Sequence, residues 1–504
     1  MIKFIQIIKS NKYELITWAV LLPAFLLTRL VNLKVIPIFT DEAIYSYWAQ
    51  VALHDPANRY ISLEDGKQPL FIWIAAVFQF FIKDPLVATR LVSVLSGFLA
   101  LIGIYLLARE IFNKTSAKIA ALIYILIPLT LLYDRMGLFD SLLAMLGIWA
   151  VFFSIKVAKN GHLDNALLNG FAIGLATITK SSGNFFLYLL PFSLVFFPFK
   201  SKGFLEKIFK WIFFTFVTIA LSQIIYNSLR LSPLFYLIAR KNQEFIRPLS
   251  EVINEPFKFF VSNTHAITEW LVSYVGIPLF LIFLTGLAIG VVTKDKRIFY
   301  LGVLIFAPFF AEALFNKVLY PRFVLFYFPY IILVIACAFD YLFTRFLSQK
   351  NIIAVVLIFA LLQPAIKSFK LLTDPPSAGL VDADASQYLN SWPAGYGVDE
   401  VLQFIRSKSQ DKAIFIGTEG TFGLFPFSLN IYNFNNPKVQ IRAYWPVNPS
   451  DLPKEVTEIS KKMPTYFVFN ENQHEINNSS LKLIQKIKKG SGESYMRLYQ
   501  VIPR

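Results

Sequence analysis

Cysteine is all but missing from this chain. Cys337 is the single thiol in 504 residues and lies within the apolar run from Phe323 to Phe343, which excludes an intramolecular disulfide and leaves a thiolate metal site without a second ligand. Histidine is nearly as scarce: His54, His162, His265 and His474 are too scattered to suggest a metal cluster. Charge is thin as well, at 16% of residues against 56% hydrophobic, a balance that excludes an ordinary water-soluble domain. From Asp374 onward the long apolar runs stop, and that segment holds neither a glycine-rich phosphate loop nor a nucleophile motif.

What is present is a succession of apolar runs between Leu15 and Phe369, many long enough to cross a hydrocarbon core of ~30 Å at ~1.5 Å per residue. The first, Leu15 to Val31, lacks a small-residue cleavage site and is expected to be a retained helix. The formal charge of +16 invites a nucleic-acid reading, but lysine and arginine fall in short clusters between the apolar runs, as in cytoplasmic loops, and no nucleic-acid partner is expected. With Lys3, Lys9 and Lys12 inside, the cluster Arg109, Lys114 and Lys118 also lies inside only if Leu70 to Ile82, too short to cross, does not span. The expected fold class is an α-helical polytopic membrane protein of about eleven spans, near 15–33, 88–108, 118–132, 141–157, 165–180, 184–198, 209–229, 271–293, 299–315, 323–343 and 352–370. A membrane domain over 1–373, with an outer amphipathic loop at 37–68, then precedes an extracytoplasmic α/β domain over 374–504. The lysine- and isoleucine-rich composition points to a prokaryotic cytoplasmic membrane.

In the C-terminal segment, strand-like runs Ala413 to Ile416, Val439 to Tyr444, Tyr466 to Phe469 and Tyr495 to Val501 alternate with helix-like Val398 to Lys408, Leu452 to Lys462 and Leu481 to Lys489. A structural or acceptor-guiding role is expected for it. The sequence shows no repeat and no low-complexity tract.

Candidate chemistry gathers in the outer loops. Thr40-Asp41-Glu42 follows the first span and leads into Ile44, Tyr47, Trp48, Val51 and Ala52, the spacing of an amphipathic helix on the membrane surface. Two readings stand side by side: helix capping, with Thr40 as N-cap and two acids suiting the dipole, or a catalytic acid pair. Asp140 opens the helix after the next outer loop and carries the same two readings. Lys67, in Asp65-Gly66-Lys67-Gln68-Pro69, Lys180 at a helix end, and Lys317, Tyr320 and Arg322 in another outer loop are interfacial anchors or phosphate contacts.

The order of these pieces resembles the C-type-fold glycosyltransferases, and within them the branch of protein O-mannosyltransferases and lipid A aminoarabinose transferases. The pieces are Asp-Glu after the first helix, Gly-Lys-x-Pro before a short apolar segment, Arg90 opening a leucine-rich helix, Asp140 after a tyrosine-containing loop, Thr179-Lys180, and Tyr320-Pro321-Arg322. The family usually carries two prolines after the motif lysine, and Gln68 departs from that. The resemblance covers roughly Leu15 to Phe343 and implies inverting transfer of a sugar from a polyprenyl-phosphate donor to a lipid, glycan or protein hydroxyl on the outer face. It carries the acidic motif over to Asp41 and Glu42, the second-loop acid to Asp140 and the phosphate-contacting lysine to Lys67, with Lys180, Tyr320 and Arg322 as further donor-phosphate candidates. Asp41 is the expected base. Cations already meet the phosphate, so no cofactor is required, while the two acids leave room for a divalent metal. The rival readings are a secondary transporter or lipid flippase, whose charges are expected mid-helix, and a membrane anchor for the tail.

Overall fold

The structure, a computed structural model, describes residues 12–474, 476 and 478–503; Lys3 and Lys9 lie outside the described residues. The chain divides into two compact units, one of Met1–Val31, Ser62–Phe71 and Val92–Leu372, the other of Asn32–Ile61, Ile72–Leu91 and Thr373–Arg504. This division differs from the boundary expected at 373/374. Segments 32–61 and 72–91 belong with the C-terminal part because their apolar side chains complete its core.

The first unit is that of an integral membrane protein. Among the described residues, six helices are long and apolar enough to cross a membrane: Pro85–Ile111, Phe139–Asn160, Phe204–Leu231, Lys296–Phe315, Phe328–Arg345 and Leu347–Thr373. Counting each bent pair as one span raises the number to eight, below the expected eleven. The run expected at 118–132 is broken into Lys114–Leu126 and Pro128–Arg135, bent by 62°, because Pro128 cannot donate the next helical hydrogen bond. That expected over 271–293 is Phe260–Val275 followed by Ile277–Thr293 at 113°, with Gly276 at φ +84° between them. The expected span at 165–180 is Leu163–Thr177, and that at 184–198 is a short, largely 3-10 stretch from Ser181 to Phe196. Leu70–Phe81 has 12 residues, about 18 Å of helix, too short to cross.

Two buried arginines tie the start of the first unit together. Arg29, at the end of helix Lys12–Leu30, pairs with Asp134 at 3.2 Å and donates to the carbonyls of Tyr124 and Ile125. Asp134 also accepts from Tyr124 and Ser141. Arg135 donates to the carbonyls of Thr28, Arg29 and Val31, satisfying groups that a helix end leaves unpaired. The dipeptide Asp134-Arg135 therefore ends a helix, and only 136–138 remain as the loop before Phe139–Asn160.

In the second unit a five-stranded sheet runs in the order β2-β1-β3-β5-β4, with β1 Ile414–Glu419, β2 Val439–Tyr444, β3 Thr465–Phe469, β4 Leu481–Lys488 and β5 Tyr495–Val501. β1, β2 and β3 are parallel, and β3-β5-β4 antiparallel. Helices Val398–Lys408 and Lys454–Ser460 form where expected, but Leu481–Lys488 is a strand and not the helix anticipated. It lies at the edge of the sheet beside β5, with one irregularity between Leu483 and Gln485, and its lysines blunt that edge. Ile38, Ala43 and Leu86 join Val398, Val401, Ile414, Ile416 and Leu498 in one core. Helix Thr40–His54 sets the Tyr47 ring, tilted, against Phe427 at 4.8 Å and bonds Gln50 to the Ile431 carbonyl. It is packed nearly all round, with Glu42, Ala43, Ile44, Tyr45, Ser46, Trp48 and Ala49 buried. The one-sided surface helix expected from its spacing is therefore not what forms.

Candidate active site

In the first unit the sequence candidates converge on an aromatic pair. The Phe245 and Phe323 rings lie 6.4 Å apart. Lys180 places its ammonium 4.1 Å from the Phe323 centroid, and Arg322 stacks over Tyr320 at 5.2 Å and Phe323 at 6.0 Å. Lys241 lies 5.8 Å from the Phe245 ring. Cations over ring faces are held at a defined depth without being neutralised.

Local backbone geometry explains the convergence. Gly66 sits at φ +63°, and a Cβ there would lie 2.4 Å from the Leu237 carbonyl oxygen and 2.5 Å from Lys241 Cβ, so only glycine lets this turn close against helix Leu237–Phe245. The consequence is electrostatic. Asp65 is shared between Lys67 at 3.3 Å and Lys241 at 2.9 Å. Burial works against the Lys241 ammonium, but Asp65 and Glu244 outweigh it and hold its pKa above the usual lysine value. Gln68 donates to Ser181 Oγ at 2.8 Å, which donates to Asn242 at 3.0 Å. The residue that departs from the family pattern thus links the Lys67 turn to the segment following Lys180.

Asp140 lies in the first turn of helix Phe139–Asn160, 5% exposed. It accepts from Lys180 Nζ at 2.8 Å, and Lys180 is about a quarter exposed. A second buried carboxylate, Glu312, accepts the Tyr327 hydroxyl at 3.0 Å and feels the charges of both Lys180 and Asp140. Sequence reasoning assigned Glu312 no role in the site. It passed over Lys241, Asn242 and Phe323, whose one signal was the mixture of cations and aromatics around them.

The acidic motif belongs to the second unit. Helix Thr40–His54 takes Phe39 as N-cap, so Thr40 is not the cap expected. Glu42 reaches back to the Phe39 N–H at 3.0 Å and meets Arg90 through two hydrogen bonds of 2.7 and 2.8 Å, both side chains fully buried. Arg90 also donates to the carbonyls of Leu33, Ile36 and Pro37. Glu42 is thus held rigidly by the fold, whereas Asp41 beside it is partly exposed. Among the described residues no three His, Cys, Asp or Glu side chains come together as a metal site.

A family model for dolichyl-phosphate-mannose-protein mannosyltransferases matches residues 66–226, a stretch containing Lys67, Asp140 and Lys180. Among solved structures, ArnT from Cupriavidus metallidurans in the apo state matches with a TM-score of 0.62 and 15% identity over 98% of each chain. The same protein bound to undecaprenyl phosphate gives 0.59 and 14% over 97% of this chain and 98% of that one. The chain has the C-type glycosyltransferase fold. The archaeal oligosaccharyltransferase AglB from Archaeoglobus fulgidus, in complex with an inhibitory peptide and a dolichol-phosphate, matches at 0.55 and 14% identity, over 91% of this chain and 69% of that one. No curated protein matches by sequence.

Proposed function

We propose that the protein is a glycosyltransferase that takes a sugar from a polyprenyl-phosphate donor and moves it, with inversion, to an acceptor hydroxyl on the outer face of a prokaryotic cytoplasmic membrane. The observation that carries this reading is the gathering of Lys67, Lys180, Lys241 and Arg322 about Asp65 and the Phe245–Phe323 pair. As the bond from the anomeric carbon to the phosphate oxygen breaks, its electron pair stays on the phosphate, whose charge rises from about −1 toward −2. Fixed cations then bind the transition state more tightly than the ground state, which is what lowers a barrier. Asp140 keeps the Lys180 ammonium aimed in the meantime, an ion pair that an arriving phosphate can share.

The acceptor oxygen attacks the opposite face of the sugar and loses its proton to a base, a contribution of ~10²–10⁴ in rate. That base is Asp41, on the strength of the resemblance and of its partial exposure. Glu42, committed to Arg90 and the Phe39 N–H, is its positioning neighbour. The likeness to solved structures that hold undecaprenyl phosphate and a dolichol-phosphate supports the donor class.

The test is transfer itself. Purified protein in lipid is given labelled mannosyl-, arabinosyl- and aminoarabinosyl-phosphoprenols with a mixed lipid, glycan and peptide acceptor pool. Release of prenyl phosphate together with an acceptor-bound label is expected for one donor. Movement of intact donor across a vesicle membrane, with no bond cleaved, would establish the transporter reading instead.

A further inference from the structure

We propose that the C-terminal part of the second unit is a positioning device for the acidic motif, acting through a short strap, Trp392-Pro393-Ala394, that Lys489 and Asn470 clamp from one side and Thr40 grips from the other. The consequence for catalysis rests on the role proposed above for Asp41. The strap itself rests on geometry alone.

On the clamping side, the fully buried Lys489 donates from Nζ to the Trp392 carbonyl at 3.0 Å, the Ala394 carbonyl at 2.6 Å and Asn470 Oδ1 at 2.5 Å. Asn470 Nδ2 donates to the Trp392 carbonyl at 3.0 Å. Asn470 is fixed in turn by Glu419 at the end of β1, whose carboxylate accepts the backbone N–H groups of Asn470, Glu471 and Asn472 at 2.8, 2.7 and 3.0 Å. The carbonyl between the two clamped ones goes the other way: Pro393 O accepts both the Thr40 N–H at 3.1 Å and Thr40 Oγ1 at 3.0 Å. Phe39 pairs with Ala394 as an antiparallel bridge. A Cβ on Gly395 would meet the Ile38 carbonyl oxygen at 2.2 Å, so the strap can lie this close only because a glycine follows it.

A lysine suits the clamp, because three donors radiating from one point can satisfy three oxygens that no planar side chain would reach together. Burying an ammonium is costly, so its place here marks a joint that must hold. The residue after Thr40 is Asp41. Through two peptide units, Lys489 fixes where the Asp41 backbone stands, although it lies 448 positions further along the chain. Rigid support of this kind is what a proton acceptor needs, since a displacement of about 1 Å can cost ~10²-fold in rate.

The experiment uses the full-length protein in detergent and the variant Lys489→Met, which keeps length and removes the donors. Hydrogen exchange is followed at the amides of residues 39–43, and transfer is measured as kcat and donor KM separately. Exchange at Thr40 should quicken at least ~10-fold and kcat fall ~10-fold, with donor KM within about twofold of wild type. Thr40→Val, which removes only the hydroxyl bond to Pro393, should shift both readouts in the same direction by less. If Lys489→Met does not fold, Asn470→Ala loosens the same clamp more gently and is read the same way. Unchanged exchange at 39–43 in a folded variant would overturn the strap. Quickened exchange with unchanged kcat would overturn its catalytic consequence. Should wild type transfer no sugar from any donor, the proposed function fails, while the exchange readout still decides the strap.

Discussion

Two carboxylate–cation pairs, Glu42–Arg90 in the second unit and Asp140–Lys180 in the first, look alike in sequence, since each joins an acid in the first turn of a helix to a distant base. Glu42 and Arg90 are fully buried, doubly bonded to each other and surrounded by further backbone partners. Asp140 and Lys180 share one contact, and the lysine keeps about a quarter of its surface open and a ring face beneath it. A pair with every hydrogen bond spent can only hold structure. One with an exposed member can exchange its partner for a ligand.

The sharpest way to break that contrast is to cut each pair. Arg90→Ala leaves the Glu42 carboxylate buried and uncompensated and strands three carbonyls, so it should cost about 3–5 kcal/mol of stability. Lys180→Met should cost about 1–2 kcal/mol and yet slow transfer while the protein remains folded. Chemical denaturation of the purified proteins measures both. Equal losses would show that the two pairs do the same work.

Within the acidic motif the contrast moves to neighbouring residues. Asp41→Asn keeps shape and removes the proton acceptor, so turnover should fall by ~10² or more with donor binding largely intact. If Asp41 were merely a helix-terminal acid, the change would cost about a few tenths of a kcal/mol and leave turnover near normal. A wild-type transfer rate in purified Asp41→Asn removes Asp41 from the chemistry. A smaller effect is expected at Lys67. Because Lys241 shares Asp65 with it and remains, Lys67→Ala should weaken donor binding and slow cleavage by about tenfold each, and Lys67→Ala with Lys241→Ala should lose more than either alone. Isothermal titration with undecaprenyl phosphate and single-turnover cleavage separate the two quantities.

How much of this was legible in the sequence follows from what each pattern encodes. Hydropathy finds apolar runs, so it located the membrane unit, but it is blind to where a run bends. The breaks at Ile127–Pro128 and Gly276–Ile277 turned expected single spans into angled pairs. Asp41, Glu42, Lys67 and Asp140 stood out because charges at the ends of apolar runs are scarce. Which acid is spent on structure was not legible, since the partner of Glu42 lies 48 residues away. Lys241 and Phe323 were passed over because their significance is a contact across about 80 residues of chain, through Phe245. The lysines and leucines from Leu481 to Lys489 suit a helix intrinsically, which is why the pattern predicts one there. Pairing with β5 overrode that preference.

A last contrast sets the Lys489 clamp against any surface lysine. Burial pulls the Lys489 pKa down to about 7, against about 10.4 for a lysine in an unfolded chain. Glu471, whose own pKa burial and Glu419 push up, works against this depression. Between about pH 7 and 10.4 the unfolded chain therefore binds more protons at this position than the folded one, so the contribution to stability rises with pH across that window and falls away as pH drops through 7. Below 7 the ammonium is charged in both states, so the clamp has its three donors and the fold bears the full cost of burying the charge, whereas above 7 the neutral amine keeps two N–H donors for the three oxygens. Lys489→Met removes the titration and leaves other groups in place, so the difference in unfolding free energy between wild type and Lys489→Met should shift in favour of wild type as pH is raised from 7 to 10. The rise is bounded by about 1.4 kcal/mol per pH unit and reduced wherever the three oxygen acceptors favour the charged form. Denaturation of both proteins at pH 6, 7, 8.5 and 10 gives the difference directly. A difference independent of pH would mean that the strap oxygens hold the lysine charged throughout, and that the clamp does not titrate in the accessible range.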